Sequence, residues 1–127
     1  MITGAHFLFY SQQPEADRAF LSDILGFSSV DAGGGWLIFA LPPAEVAVHP
    51  ADQPFHHPHA GQSLAGAVLY LMCDDLESEI RKLQAKRVSF SKVDREQWGS
   101  FTTFPLPSGG RIGLYQPSHP TAVTRGS

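Results

Sequence analysis

The chain has one cysteine, a near balance of charges and no long apolar run, and each of these absences excludes a class of protein. With Cys73 alone, no disulfide can form within the chain, which favours a reducing compartment and leads us to expect a cytoplasmic location. The 9 basic and 12 acidic residues give a net charge of −3, so the basic surface typical of nucleic-acid binding is missing. No apolar run approaches the roughly 18 residues of a membrane helix. We therefore expect neither nucleic acid nor a membrane as a partner.

What the chain does have is one pattern, given twice. In residues 6–50 and again in 67–117, an apolar stretch is followed by a helical pattern, a tryptophan, a Leu-Pro turn and a last stretch that closes on proline. Such repeats bear on the whole fold, and 127 residues fit one domain. We divide residues 1–127 into a first module at about 4–50, a linker loop at about 51–65, a second module at about 66–117 and a frayed tail at 118–127.

The first module predicts one strand, one helix and then three strands. Phe7 to Tyr10 is short, apolar and aromatic, as in a strand. The helix begins at Pro14, which costs little in a first turn, and ends before Gly26, a residue suited to a helix C-cap. Further strands are expected at 28–31, 36–41 and 45–49, the first two joined by a glycine turn.

The second module predicts the same order. An apolar strand from Ala67 to Met72 leads into a helix whose start at Asp74 resembles a capping box with Glu77. Later strands are expected near 88–92, 101–106 and 111–116. Between the modules, the proline-broken stretch with His56, His57 and His59 predicts a solvated loop rather than a metal site, because no carboxylate or thiolate accompanies it.

This doubled βαβββ order resembles the vicinal oxygen chelate superfamily, which includes glyoxalase I, bleomycin-resistance proteins and extradiol dioxygenases. The resemblance covers essentially residues 4–117. The segments on which the resemblance rests are Pro14–Phe20 leading to Leu25–Phe27, the Cys73–Leu76 helix entry, Trp98–Gly99, and Leu106–Gly110 before the last strand. It implies an α+β, glyoxalase-like fold of two tandem βαβββ modules whose curved mixed sheets enclose a cavity. It also implies a homodimer.

In the metal-dependent members of that family, the first and last strands of each module supply four ligands to a divalent ion. The resemblance places His6 at the first of these positions. Val68 and Gly113 fall at the two positions of the second module, and neither can bind a metal. At the remaining position Glu45 and His49 flank the expected ligand and share a face of the strand. A site made of these three residues would take Zn, Ni, Mn or Fe.

Aromatic side chains supply the second set of candidate residues. Large rings with a polar edge suit an apolar pocket that takes a planar or aromatic molecule. We predict a pocket lined by His6, Tyr10, Tyr70, Trp98 and Phe101.

Two further predictions concern the second helix. Cys73 stands beside Asp74 and Asp75, which disfavour a thiolate, so we expect a small buried residue rather than a nucleophile. Relatives commonly end this helix in Lys-Gly or Arg-Gly, whereas this chain has Lys86-Arg87. Either Arg87 adopts a left-handed conformation at a cost of about 1 kcal/mol, or the helix ends differently.

These observations favour a protein that binds a small, largely apolar molecule, with no cofactor and without the family's full metal set. The chief alternative is an enzyme, a metal-dependent lyase, isomerase or dioxygenase that uses His6 with Glu45 or His49. A sequestering or self-resistance protein like the bleomycin-binding members is a third hypothesis, and a different α+β ligand-binding dimer is a fourth. The sequence leaves open whether the chain is an enzyme.

Overall fold

The computed structural model of the chain describes residues 1–123 and has an α+β architecture. The helices are Pro14–Ala19 (α1) and Leu76–Gln84 (α2), and a π-helical segment follows α1 at Phe20–Ile24. The strands are Ser29–Asp31 (β1), Leu37–Phe39 (β2), His56–His59 (β3), Gln62–Ala65 (β4), Tyr70–Met72 (β5), Asp94–Glu96 (β6), Gly99–Pro105 (β7) and Arg111–Pro117 (β8). No helix within these 123 residues is long and apolar enough to cross a membrane.

The residues group into two compact units by their contacts. The first unit comprises Met1–Ala40 together with Pro105–Arg111. The second comprises Leu41–Phe104 together with the chain from Ile112 onward. The predicted single domain with its module boundaries stays a prediction, since the units divide the chain at other positions.

The second unit holds a four-stranded mixed sheet in the order β5-β8-β7-β6. β5 pairs with β8 in parallel, and β6 pairs with β7 antiparallel. Side chains alternate along a strand, so Thr102 and Phe104 of β7 share a buried face, as Ile112 and Leu114 of β8 do. The buried apolar side chains of this unit are Leu76, Leu83, Val88, Phe104, Ile112 and Leu114. The predicted βαβββ order of the second module is therefore present as β5-α2-β6-β7-β8.

Both ends of α2 are capped, and one differs from the prediction by a residue. The N-cap is Asp75 rather than Asp74, because Asp75 has the extended backbone from which its carboxylate accepts the Ser78 N–H at 3.1 Å. At the other end Arg87 has a φ of 68°, and the Val88 N–H donates to the Leu83 carbonyl at 3.1 Å. This is the left-handed helix end that glycine ordinarily provides. Of the two alternatives predicted for this helix end, the left-handed Arg87 is therefore the one that occurs.

The first unit contains α1, the π-helical segment and the β1–β2 hairpin. Gly26, at φ 75°, follows the helical segment as predicted, and the hairpin pairs Ser29 with Phe39 and Asp31 with Leu37. Asp17 of α1 is buried and accepts two hydrogen bonds from Ser108, at 2.9 Å from the backbone N–H and 2.6 Å from Oγ. This pair joins positions that lie 91 residues apart.

Three predicted elements differ in the structure. Residues 7–10 and 45–49 form no strand, and β6 lies at Asp94–Glu96 rather than at 88–92. In the range 88–92 the Ser91 N–H donates to the Thr103 carbonyl at 2.9 Å. The stretch predicted as a linker loop carries the β3–β4 hairpin. Its turn residues Ala60 and Gly61 have φ values of 51° and 76°, the consecutive positive angles of a two-residue hairpin turn.

Candidate functional site

Four aromatic rings of the second unit converge on one face of its sheet. Tyr70 lies on β5, Phe101 on β7, Tyr115 on β8, and Trp98 in the turn before β7. Tyr70 is the register partner of Gly113, and Tyr115 is two residues beyond, so period-two alternation puts both rings on the same side. This is the face opposite Ile112 and Leu114. We call Tyr70, Trp98, Phe101 and Tyr115 the aromatic cluster.

The rings of the aromatic cluster contact one another in the geometries that aromatic quadrupoles favour. Trp98 stacks on Phe101 with centroids 5.1 Å apart and 15° between the planes. Tyr70 meets Phe101 edge to face at 6.1 Å, and Tyr115 meets Trp98 edge to face at 5.6 Å. Tyr70 and Tyr115 are 5.9 Å apart, which closes the ring of contacts.

The cluster is open to solvent, unlike the core on the other face of the sheet. Trp98 is 47% exposed and Tyr70 39% exposed, whereas Phe104 is fully buried. An exposed group of large rings in contact offers faces on which a planar molecule can stack.

Polar groups fix the edge of the cluster near Trp98. The Tyr115 hydroxyl and the Ser118 N–H both donate to the Trp98 carbonyl, at 3.1 Å and 2.9 Å. The His119 ring lies 5.7 Å from the Tyr115 ring, and its Nδ1–H donates to the Pro120 carbonyl at 2.8 Å. Ser118 and His119 of the predicted frayed tail therefore contact this edge, and residues 124–127 of that tail lie outside the described residues.

Burial raises the pKa of Tyr115, and the carboxylate of Glu45 adds to that effect. Glu45 in turn accepts the Ala122 N–H through Oε1, at 2.7 Å. The Tyr115 hydroxyl therefore stays protonated and keeps its hydrogen bond to Trp98.

The structure places the five predicted pocket residues in two different units. It brings Tyr70, Trp98 and Phe101 together in the second unit, while His6 and Tyr10 are exposed residues of the first. Sequence reasoning missed Tyr115 as a member of the cluster. The available signal was the spacing of Tyr115 two residues after Gly113 on a predicted strand. This spacing puts the Tyr115 ring on the same face as Gly113, which has no side chain of its own.

The predicted metal ligands lie in two different units, His6 in the first and Glu45 and His49 in the second. Within residues 1–123, no group of three His, Cys, Asp or Glu side chains lies close enough to hold one. Glu45 uses one carboxylate oxygen on the Ala122 N–H, and the Nδ1–H of His49 donates to the Pro50 carbonyl at 2.7 Å. We derive no chemistry through a metal from these residues.

A concavity lies in the first unit, on the β1–β2 hairpin. It encloses about 260 Å³ and is lined by Ser28, Ser29, Val30, Ile38, Phe39 and Ala40. This lining holds no ionisable side chain and none of the predicted site residues. The aromatic cluster, which has ring faces and oriented hydroxyl groups, is the better candidate site.

Comparison with known proteins agrees with the architecture. Residues 4–116 match the family model of the Glyoxalase/Bleomycin resistance protein/Dioxygenase superfamily. Among solved structures, the chain is 26% identical to TnmS3, an antibiotic binding protein from Streptomyces sp. CB03234, over 93% of this chain and 99% of that one, with a TM-score of 0.59. A search of curated proteins found no match.

A second solved structure is similar in fold alone. Lactoylglutathione lyase from Agrobacterium tumefaciens is 16% identical over 90% of this chain and 92% of that one, with a TM-score of 0.61. The family model covers most of the chain, and the fold is shared with these structures. The protein belongs to the glyoxalase, bleomycin resistance protein and dioxygenase superfamily.

Proposed function

We propose that this protein binds a small, planar and largely apolar molecule on the aromatic cluster, without the family's full metal site. The observation that carries the proposal is the group of four rings in mutual contact, two of them well exposed, on an otherwise packed sheet. Stacking on such rings contributes about 0.5–1.5 kcal/mol per ring pair beyond the burial of area. The similarity to an antibiotic binding protein supports a role in binding.

Calorimetry with 2-naphthol tests the proposal, and its saturated analogue decahydro-2-naphthol serves as the control ligand. We expect 2-naphthol to bind and to raise the melting temperature, because a ligand of the native state alone stabilises it. The saturated analogue, which cannot stack, should bind about 2- to 12-fold more weakly for each ring pair that is lost. Trp98→Ala weakens 2-naphthol binding about tenfold, while Trp36→Ala, which removes an exposed tryptophan of the first unit, leaves it unchanged. Equal affinity for the two ligands contradicts the proposal.

The metal-dependent alternative is tested separately. Protein purified without chelator is assayed for bound Zn, Ni, Mn and Fe. We expect less than stoichiometric metal, since a stable site needs its full set of ligands in the right geometry. Stoichiometric metal that is lost in His6→Ala would overturn the metal-free proposal and favour a lyase, isomerase or dioxygenase.

We further propose that the protein is a cytoplasmic homodimer. Phe7 and Phe9 are each about half exposed, and Val46 and Val48 are 92% and 95% exposed. Apolar side chains in such number favour burial against a partner, and a second copy is the partner that is always present. Light scattering after size exclusion should give twice the 13.8 kDa of one chain. A mass of one chain at micromolar concentration contradicts the dimer.

A further inference from the structure

Two glycines of the second unit lie against tyrosine rings of the aromatic cluster. Gly113 is the register partner of Tyr70 across the parallel β5–β8 pair. A Cβ added to Gly113 would overlap Cδ1 and Cε1 of Tyr70 and would lie 2.8 Å from its Cγ. The Tyr70 ring thus occupies the volume that any side chain at position 113 would need.

The backbone at Gly113 does not itself require glycine. Gly33, Gly34 and Gly35 in the β1–β2 turn have positive φ, and an added Cβ would meet nothing within 4 Å. Gly113 is the reverse case, because its φ is not in the left-handed region while its added Cβ collides with a ring. Conformation explains glycine in the turn, whereas the Tyr70 ring explains glycine at position 113.

Gly99 lies against the edge of the neighbouring Tyr115 ring. An added Cβ there would overlap Cε2 of Tyr115 and would come within 2.6 Å of the Gln116 carbonyl oxygen. Gly99 also has a φ of 155°, so backbone and ring both restrict this position. The Tyr70 ring thus rests on a residue without a side chain, and the edge of the Tyr115 ring contacts another.

We propose that Gly113 is a specificity-determining position of the binding site, acting as a positioning residue for the Tyr70 ring. A side chain at position 113 displaces the ring from its contacts with Phe101 and Tyr115, at 6.1 Å and 5.9 Å, and shrinks the surface on which a planar ligand stacks. The inference rests on the proposed function, since it names what lets that site take a flat ring.

The same contact accounts for the mismatch with the metal-dependent pattern. Position 113 is where the family resemblance places a metal-ligand carboxylate, and here the Tyr70 ring fills that space. A carboxylate at 113 and a ring lying on 113 exclude each other sterically. The second unit therefore offers an aromatic face in place of a metal ligand.

A double-mutant cycle with 2-naphthol tests the proposal by calorimetry. Gly113→Ala in the wild-type background should weaken binding about tenfold. In a Tyr70→Ala background the same substitution should change affinity less than about twofold, because the ring it displaces is gone. Gly110→Ala is the matched control, since an added Cβ at Gly110 meets nothing within 4 Å, and it should leave affinity unchanged.

The outcomes separate this inference from the proposed function. If the wild type does not bind 2-naphthol, the proposed function fails. If the wild type binds and Gly113→Ala binds equally well, or if its effect is the same with and without Tyr70, Gly113 does not act through the ring and the inference is overturned.

A ligand-free measurement covers the case in which Gly113→Ala does not fold. In the wild type, the ring current of Tyr70 should shift the Gly113 Hα resonances upfield, and Tyr70→Leu should return them to ordinary glycine values. Ordinary Gly113 shifts in the wild type would overturn the inference.

Discussion

The two halves of the chain carry the same sequence pattern and fold to different degrees of regularity. The second half forms the complete order β5-α2-β6-β7-β8, around a buried core that includes Phe104 and Ile112. The first half forms a helix and a two-stranded hairpin, and its apolar residues 7–9 are about half exposed. An apolar pattern thus predicts a strand only where backbone partners and a covered face are also available.

The largest effect should come from the core of the second half. Phe104→Ala removes a ring that is fully buried and in edge-to-face contact with Phe90 at 5.8 Å. We expect it to lower the free energy of unfolding by about 3–5 kcal/mol in urea denaturation. Val30→Ala on β1, where the side chain is 67% exposed, should cost less than about 0.5 kcal/mol. If the two variants lose similar amounts of unfolding free energy, the second half is not more tightly packed than the first.

The first unit is expected to depend on a polar contact instead. Asp17→Ala removes the acceptor of both Ser108 hydrogen bonds and should lower stability by about 2–3 kcal/mol, since bonds to charged groups are the stronger ones. Asp23→Ala, at an exposed position on the same helical segment, is the control and should cost less than about 0.5 kcal/mol. A negligible loss in Asp17→Ala would mean that this contact does not hold the unit together.

The ends of the two helical segments offer a more local comparison. Gly26 follows the first at φ 75°, and Arg87 follows the second at φ 68°. Arg87→Gly should raise stability by about 0.5–1 kcal/mol, because it relieves a left-handed non-glycine residue. Lys86→Gly, one residue earlier in the same turn and at a φ that is not positive, should instead lower it by about 0.5–1 kcal/mol, because glycine gives the unfolded chain more conformational freedom. Destabilisation in both variants would show that Arg87 carries no strain.

The smallest effect on stability is expected at Cys73, whose thiol donates to the Tyr115 carbonyl at 3.6 Å. Burial, with the carboxylates of Glu79, Asp74 and Asp75, raises its pKa from 9.0 to about 11. The thiolate fraction at pH 8 is then about 100-fold below that of an ordinary thiol, so alkylation by iodoacetamide should slow by about that factor.

The sign of the pH dependence follows from the same pKa. Folding raises the pKa of the Cys73 thiol. The contribution of this thiol to stability is therefore fully present below its unfolded-state pKa of 9.0 and is lost as pH rises through about 11. Cys73→Ala should remove this part of the decrease in the free energy of unfolding with rising pH. Alkylation at the rate of an unfolded chain would contradict the packing of this segment.

The sequence predicted the second module better than the first, for physical reasons. α2 has an apolar stripe, an aspartate cap and basic residues in its last turn, which are local signals. The strands at 7–10 and 45–49 were predicted from apolar character alone, and such short runs need partners that sequence cannot display. The β3–β4 hairpin was missed because its turn is Ala60–Gly61, and alanine seldom adopts positive φ.

The candidate site divides in the same way. The sequence alone determined the family pattern and which aromatic residues are present, and it predicts that Val68 and Gly113 stand at metal-ligand positions of the family. Only the tertiary structure decided that Tyr70 and Trp98 each contact both Phe101 and Tyr115, and that the space at Gly113 is filled by a ring. The reason is that residue types and local spacing are written in the chain, whereas contact between Tyr70 and Gly113 depends on which strands pair and in which register.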